Sequence, residues 1–469
     1  MERLVVISNR TGDLENKTQT GGLAVGIVDA LRSRGGMWVG WNGEVGRESK
    51  ASRKTYDNVI SLTMPLSEEE HEQYYLGFAN KVLWPAFHYR LDLMDHRTEF
   101  VDRYAAVNRK FADMTCPHLR EDDLIWIHDY HLIPLAAEFR QRDCRQKIGF
   151  FLHIPFPSAD VFSAIPYHDW LRECFLQFDL IGLQTKNDVQ NFCRYLREHS
   201  DVEFITSNTV RWHDQVITIA DFPIGIDVQQ FAEMAHQDDD TIELERMRRT
   251  VLKRFQIISA DRLDYSKGLP QRMKAFRKFL EDCPEYQGRA EYLQIASPSR
   301  EDVSAYADIR AELEGLTGAV NGKFADFNWA PIQYINRNIP REQLAQLFRC
   351  SLVGLITPLR DGMNLVAKEY VAAQDDKDPG ILILSKFAGA AEELDQAIIV
   401  NPYDIHDVAQ ALKRAAVMSM DERRERHRSL LKQVTGNDAN QWKDNYLAAL
   451  QSAGTSGELK KRFAIHRAG

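Results

Sequence analysis

Pro358-Leu359-Arg360-Asp361-Gly362-Met363-Asn364-Leu365-Val366-Ala367-Lys368-Glu369 sets two carboxylates eight residues apart around a glycine, directly after the apolar run Leu352-Val353-Gly354-Leu355-Ile356. Pro358 cannot donate to a strand ladder, so the strand stops there and a helix begins beyond it. Gly362 permits a tight or left-handed backbone that a side chain would block. The unpaired amides and positive dipole end of such a helix suit an anion, and Asp361 and Glu369 add acceptors for hydroxyl groups. Phosphate joined to sugar fits that combination. So does an ordinary strand-helix turn with a capping Asp361 and a solvated Glu369, and this stretch alone does not separate the two.

A second group of charges points the same way. Phe255-Gln256-Ile257-Ile258-Ser259-Ala260 reads as a strand running into Asp261-Arg262-Leu263-Asp264-Tyr265-Ser266-Lys267-Gly268. Arg262 and Lys267 therefore stand at a carboxyl strand end beside a glycine, where two cations can neutralise a diphosphate without a metal; a surface ion pair is the plainer alternative. His128-Asp129-Tyr130-His131, His153-Ile154-Pro155-Phe156-Pro157 and Gln184-Thr185 follow three short apolar strands at 124–127, 148–152 and 180–183. In an open parallel sheet ligands bind at carboxyl strand ends, which favours a functional reading of these residues. His128 and His131 as metal ligands would need a third donor that the sequence does not specify, so no metal is expected.

The elements that must position these groups alternate strand and helix through both halves of the chain. Leu4–Ile7 is a short strand, followed by Gly21-Gly22 at the entrance of a helix; the glycine pair lies too far from the strand for a dinucleotide fingerprint, and close ligand approach and simple packing both explain it. Met37–Trp41 is a further strand, and Ser67-Glu68-Glu69-Glu70 opens a helix. Tyr74, Tyr75, Trp84, Phe87, His88 and Tyr89 form an aromatic cluster, either core or a sugar platform. The acidic link His236–Asp240 marks a domain boundary, giving domains 1–235 and 236–469, with the last helix able to pack back on the first. Asp238-Asp239-Asp240 and Asp376-Lys377-Asp378 follow no apolar strand and read as solvated surface.

Composition bounds the function. With 469 residues, 44% of them hydrophobic, two domains with real cores are expected. A net charge of -9 speaks against nucleic acid, which needs a surplus of Lys and Arg. The six cysteines contain no Cys-x-x-Cys spacing, so neither a zinc site nor a disulfide framework is implied and a reducing cytoplasm fits. The apolar run at the start is too short for a signal peptide, and no stretch reaches the roughly 18 apolar residues of a membrane span.

Two Rossmann-like, doubly wound α/β domains facing an interdomain cleft define the glycosyltransferase-B architecture, the fold expected here. Over nearly its whole length the chain also resembles the trehalose-6-phosphate synthases, the retaining glucosyltransferases of family 20. The resemblance rests on Ser8-Asn9-Arg10, Gly21-Gly22-Leu23-Ala24-Val25-Gly26, Leu83-Trp84-Pro85-Ala86-Phe87-His88-Tyr89, His128–Leu132, His153–Pro157, Arg262–Gly268 and Asp361–Val366. It implies nucleotide-glucose, with UDP as the leading base, as donor and glucose 6-phosphate as acceptor, with no cofactor and no metal. Gly21, Gly22, Arg262, Lys267, Ile339, Asp361, Gly362, Asn364, Leu365, Val366 and Glu369 would contact the donor. Glu369 would hold the ribose, Arg262 and Lys267 the diphosphate, and Asp361 with the following amides the glucose hydroxyls; Ile339 would act through its backbone. Arg10, Tyr75, Trp84, Asp129, His153 and Arg300 would meet the acceptor. The loop Thr11–Thr20 departs from the family's usual form.

Under this resemblance Arg262, Lys267 and Asp361 are the catalytic residues. Double displacement needs a carboxylate about 5 Å from its partner acid, and Asp361 is committed to sugar hydroxyls, so the implied reaction runs on one face, the departing phosphate taking the acceptor proton. ADP- or GDP-glucose donors, glycerol 3-phosphate or cyclitol phosphate acceptors, a sugar-nucleotide epimerase and a non-catalytic sugar-phosphate sensor are the alternatives. The intact Arg262, Lys267, Asp361 and Glu369 weigh against the sensor. No nucleic-acid or membrane partner is implied; assembly as a homodimer or homotetramer is left open by the sequence.

Overall fold

The computed structural model describes residues 2–12, 27–28, 31–32, 35–46, 51–237, 254–299 and 304–454. The chain divides into two compact units, Met1–Pro223 with Asn440–Gly469, and Ile224–Ala439.

The first unit is built on one sheet of ten strands among the described residues: β1 (Leu4–Arg10), β2 (Gly36–Val45), β3 (Ser52–Tyr56), β4 (Val59–Leu66), β5 (Leu124–His128), β6 (Lys147–Phe151), β7 (Leu180–Leu183), β8 (Val202–Phe204), β9 (Thr209–Trp212) and β10 (Gln215–Asp221). They lie in the order β3-β4-β2-β1-β5-β6-β7-β10-β9-β8. The run from β4 to β10 is parallel, and β3, β8 and β9 pair antiparallel at the edges. Every residue of β5 and β7 is buried, as expected of parallel strands covered on both faces. The helix Ala439–Ser452 supplies part of that cover: the Tyr446 ring stacks on Trp126 at 4.7 Å, and Trp442 meets Trp126 at 5.1 Å. Glycine is required beneath it, because a Cβ at Gly149 would stand 2.4 Å from the Tyr446 hydroxyl.

In the second unit six parallel strands among the described residues, β11 (Phe255–Arg262), β12 (Ala290–Ser297), β13 (Ile332–Ile335), β14 (Val353–Ile356), β15 (Ile381–Ser385) and β16 (Ile398–Val400), run in the order β13-β12-β11-β14-β15-β16. This is the doubly wound order, and it reverses between β11 and β14.

The boundary differs from the sequence expectation of 235/236 and falls at Pro223/Ile224. The reason is packing. The helix Val228–His236 belongs to the second unit, where Phe231 meets Phe348 at 6.4 Å and the Gln237 carbonyl accepts from Gln346 at 2.9 Å. Polarity makes the acidic link look like a break, whereas the change of unit occurs at Pro223, before this helix begins.

Candidate functional site

The loop after β14 and the loop after β11 are built into each other. Leu359 and Arg360 donate their backbone amides to the Ser266 carbonyl at 2.7 and 3.4 Å, and Asp361 pairs with the chain near Ala388, its own amide donating to Phe387 at 3.2 Å. Gly268 adopts a left-handed backbone, φ 67°, and a Cβ there would lie 2.5 Å from the Thr357 carbonyl, so the two loops approach as closely as glycine allows.

At this junction Lys267 Nζ donates to Asp361 Oδ2, and Asn364 Nδ2 donates to the same oxygen at 3.0 Å. The alternative in which Asp361 caps the helix does not hold. Asn364 is the cap of the helix Leu365–Ala373: it takes the left-handed conformation, φ 73°, and its Oδ1 accepts from the Ala367 amide at 3.2 Å. Asn tolerates that backbone and Asp361 is three residues too early for it, which leaves the Asp361 carboxylate for Lys267. Gly362 is buried in the bend, Leu365 and Val366 begin the helix half-buried, and Arg262 is exposed at the end of β11.

Glu369 lies one turn further along the helix. Its Oε1 stands 3.3 Å from Arg341, which also lies over the Phe231 ring at 5.2 Å. Burial pushes the Glu369 carboxyl above the ordinary range while Arg341 pulls it back. Ile339, half-buried, sits two residues before Arg341.

Behind Lys267 lies a support that the sequence reading missed. Arg272 is fully buried; it pairs with Asp261 at 2.6 Å, donates to Thr357 Oγ1 at 3.1 Å and holds the Lys267 carbonyl at 2.8 Å. Asp264 caps the turn Tyr265–Lys267 through the Ser266 amide at 2.9 Å and accepts from the Tyr306 hydroxyl at 2.8 Å. An arginine on an apolar helix face beside Met273 and Phe276 was the available sign, since such a residue is buried only when its charge is met.

Of the groups predicted to meet an acceptor, Arg10, Asp129 and His153 stand at the carboxyl ends of β1, β5 and β6. Asp129 holds a positive φ of 74° and its Oδ1 accepts from the His153 amide at 3.2 Å. His153 Nε2 and His128 Nδ1 stand 3.1 Å apart, within hydrogen-bond reach, the tautomers deciding which donates. Burial drives His153 down to about 3 and His128 well below its usual value, so both are neutral at pH 7. No spacing in the sequence joins His153 to the His128/His131 pair; the fold joins it to His128 and leaves His131 elsewhere.

His131 instead stacks on Tyr75 at 5.8 Å, 13° from parallel. Contacts continue outward from Tyr75 to Trp41 at 5.5 Å and to Arg10 over the Trp41 face at 5.9 Å, and inward from His131 to Tyr130 at 4.0 Å and on to Trp84 at 5.8 Å. Tyr75 lies within, and Trp84 directly follows, a wide, π-type helical stretch, His71–Leu83, a form that recurs at functional sites. The aromatic cluster is thus both core, at buried Tyr74, Trp84, Phe87 and His88, and edge, at half-buried Tyr75 and Tyr89.

Gly21, Gly22, Arg300, residues 13–20 of the loop and Asp238–Asp240 lie outside the described residues. Asp376 and Asp378 have side chains 82% and 69% exposed, with Asp378 paired to Arg423 at 2.7 Å, which makes that run solvated surface. The described residues contain no group of three or more His, Cys, Asp or Glu side chains arranged to hold a metal.

Two parallel-sheet α/β units, with charged loops at the carboxyl ends of their central strands, are the glycosyltransferase-B design. The model of glycosyltransferase family 20 matches residues 3–452, and the chain belongs to that family. It is 45% identical over 469 residues to the trehalose-6-phosphate synthase of Enterobacter sp. strain 638, covering 99% of each chain. Among solved structures, the UDP-forming α,α-trehalose-phosphate synthase of Burkholderia xenovorans in complex with glucose-6-phosphate superposes with a TM-score of 0.90 at 45% identity, covering 96% of this chain and 100% of that one. The E. coli protein bound with UDP-2-fluoro glucose gives 0.93 at 46% identity, covering 96% and 99%.

Proposed function

We propose that this chain is a retaining glucosyltransferase that joins the glucose of UDP-glucose to glucose 6-phosphate, giving α,α-trehalose 6-phosphate and UDP. The observation that carries the reading is the Lys267–Asp361–Asn364 cluster at the strand-order reversal of the second sheet, in a chain 45% identical to trehalose-6-phosphate synthases throughout.

In this reading the donor enters with its diphosphate toward Lys267, Arg262 and the amides that open the helix at Leu365, while Asp361 and those amides take glucose hydroxyls and Glu369 takes the ribose. Gly21, Gly22 and the Ile339 backbone complete the donor set. Asp361 already carries two donors on one oxygen, which suits a hydroxyl acceptor better than a nucleophile. The bond from the anomeric carbon to phosphate then breaks as the acceptor hydroxyl closes in on the same face, and the departing phosphate oxygen takes the hydroxyl proton. Lys267 and Arg262 stabilise the charge on that oxygen, and because they act most strongly as it develops they accelerate the reaction. Neutral His153 and the Asp129 carboxylate bind acceptor hydroxyls, Tyr75 and Trp84 flank the sugar, and Arg10 with Arg300 reads its phosphate.

The product keeps its phosphate. We place the reaction in the cytoplasm: six thiols suit a reducing compartment, and no described helix is long and apolar enough to cross a membrane. The test is a panel of UDP-, ADP- and GDP-glucose, each with and without glucose 6-phosphate. The reading requires nucleotide release that depends on glucose 6-phosphate and is fastest with the UDP donor; release with another phosphorylated acceptor alone, or epimerised donor without acceptor, would overturn it.

A further inference from the structure

Cys116 and Cys144, 28 residues apart, bring their sulfurs to 3.4 Å, the one close thiol-thiol approach among the described residues. Cys116 directly follows the helix Thr98–Thr115, and Cys144 lies in the loop that leads into β6. Both are half-buried at element ends, where the backbone can yield. A disulfide needs about 2.05 Å, so closure asks for roughly 1.4 Å of relative movement. Cys144 also lines a surface cavity of about 660 Å³ with Arg140, Arg145 and Trp212.

We propose that Cys116 and Cys144 form a reversible disulfide when the protein meets a peroxide, a modification site independent of the transferase chemistry. Cys144, open to the cavity, reacts first: its thiolate attacks one peroxide oxygen, the O–O bond breaks, and the departing hydroxide leaves as water with the former thiol proton. The sulfenic acid on Cys144 is then attacked by the Cys116 sulfur; the S–S bond forms, the S–O bond breaks, and a second water carries away the Cys116 proton. Two electrons pass from the two thiols to the peroxide.

The order follows from the surroundings. Burial and the neighbouring Cys144 push the Cys116 thiol up, Cys144 lines the cavity from which the oxidant comes, and the 3.4 Å contact makes Cys116 the resolving thiol. Of the four other thiols, Cys174, Cys193 and Cys283 are buried and burial raises each of them, Cys193 to about 11, while Cys350, half-buried, belongs to the second unit. A thiol pair in a reducing compartment rests reduced and closes transiently, the usual pattern for sensing disulfides.

The experiment exposes the full chain to a small excess of hydrogen peroxide, blocks remaining thiols, and maps tryptic peptides by mass without reduction. The expected result is a linked peptide pair containing Cys116 and Cys144, an intact mass lower by about 2 Da, four blocked thiols in place of six, and full reversal by dithiothreitol. In Cys116→Ser, whose folding is checked by its melting curve, the sulfenic acid on Cys144 should persist and be trapped by dimedone. Oxidation of Cys144 onward to sulfinic acid in the wild type with no linked peptide, linkage scattered over other cysteines, or no dimedone adduct at Cys144 in the variant would overturn the proposal.

Discussion

Lys267 and Asp361, 94 residues apart, meet in an ion pair across the point where the strand order of the second sheet reverses, one from the loop after β11 and the other from the loop after β14. Both side chains are largely buried, at 10% and 14% exposure. In the proposed reaction a bound donor separates this pair, the lysine turning to phosphate and the carboxylate to sugar hydroxyls. Each group then gains a partner as it loses one.

Lys267→Ala should therefore reduce kcat by about 10²-fold or more, comparable with losing one oxyanion donor, with a small effect on acceptor KM. Arg262→Ala should act in the same direction. Steady-state kinetics with varied acceptor at saturating donor checks both; near-normal kcat in the two variants would detach these cations from the leaving group.

Arg272 provides a prediction about stability. Its pair with Asp261 is almost fully buried, at 0% and 3% exposure, so Arg272→Ala strands a carboxylate and should cost about 3–5 kcal/mol in denaturant unfolding. Replacing both, Arg272→Met with Asp261→Leu, should recover most of that loss, because an apolar pair avoids the desolvation cost. Equal destabilisation by the single and double changes would mean that the hydrogen bonds to Thr357 and the Lys267 carbonyl dominate instead.

The strands and their carboxyl-end charges were legible in the sequence because a buried parallel strand is a short apolar run that ends abruptly. Arg262, Lys267, Asp361 and His153 could be found that way. Their partners could not. The Lys267–Asp361 contact, the His128–His153 contact and the Arg272 support join segments that only the sheet order brings together. Asn364 escapes notice as the helix cap because a left-handed asparagine three residues after an aspartate looks no different in sequence from the reverse assignment. The domain boundary is displaced for a related reason: polarity marks exposed chain, whereas Val228–His236 belongs to the second unit through Phe231 and Gln237.

Depressed histidines give a pH dependence of definite sign. His153 and His128 take up protons less readily folded than unfolded, so their contribution is complete above the unfolded value near 6.5 and declines as pH falls toward the folded values, about 3 for His153. Each should remove about 1.4 kcal/mol per pH unit over that window. The unfolding free energy of His153→Asn, followed from pH 6.5 to 4.5, should fall less steeply than that of the wild type by nearly one proton. Parallel slopes would show that His153 is protonated in the fold.

Arg10, exposed at the end of β1 and lying over Trp41, is the proposed reader of the acceptor phosphate. One charge-assisted hydrogen bond contributes about 1.5–3 kcal/mol, so Arg10→Ala should lower the preference for glucose 6-phosphate over glucose by about 10- to 150-fold in kcat/KM. Arg300→Ala should do the same by its own share. An unchanged ratio in both variants would place phosphate recognition elsewhere.

The central claim is transfer of glucose with retention onto a phosphorylated glucose, and the stereochemistry of the product tests it most directly. Purified protein, UDP-glucose labelled at the anomeric carbon and glucose 6-phosphate should yield one disaccharide phosphate per UDP released, with both anomeric protons showing α couplings by NMR. A β-configured labelled carbon, or UDP release with free glucose as the product, would contradict the account.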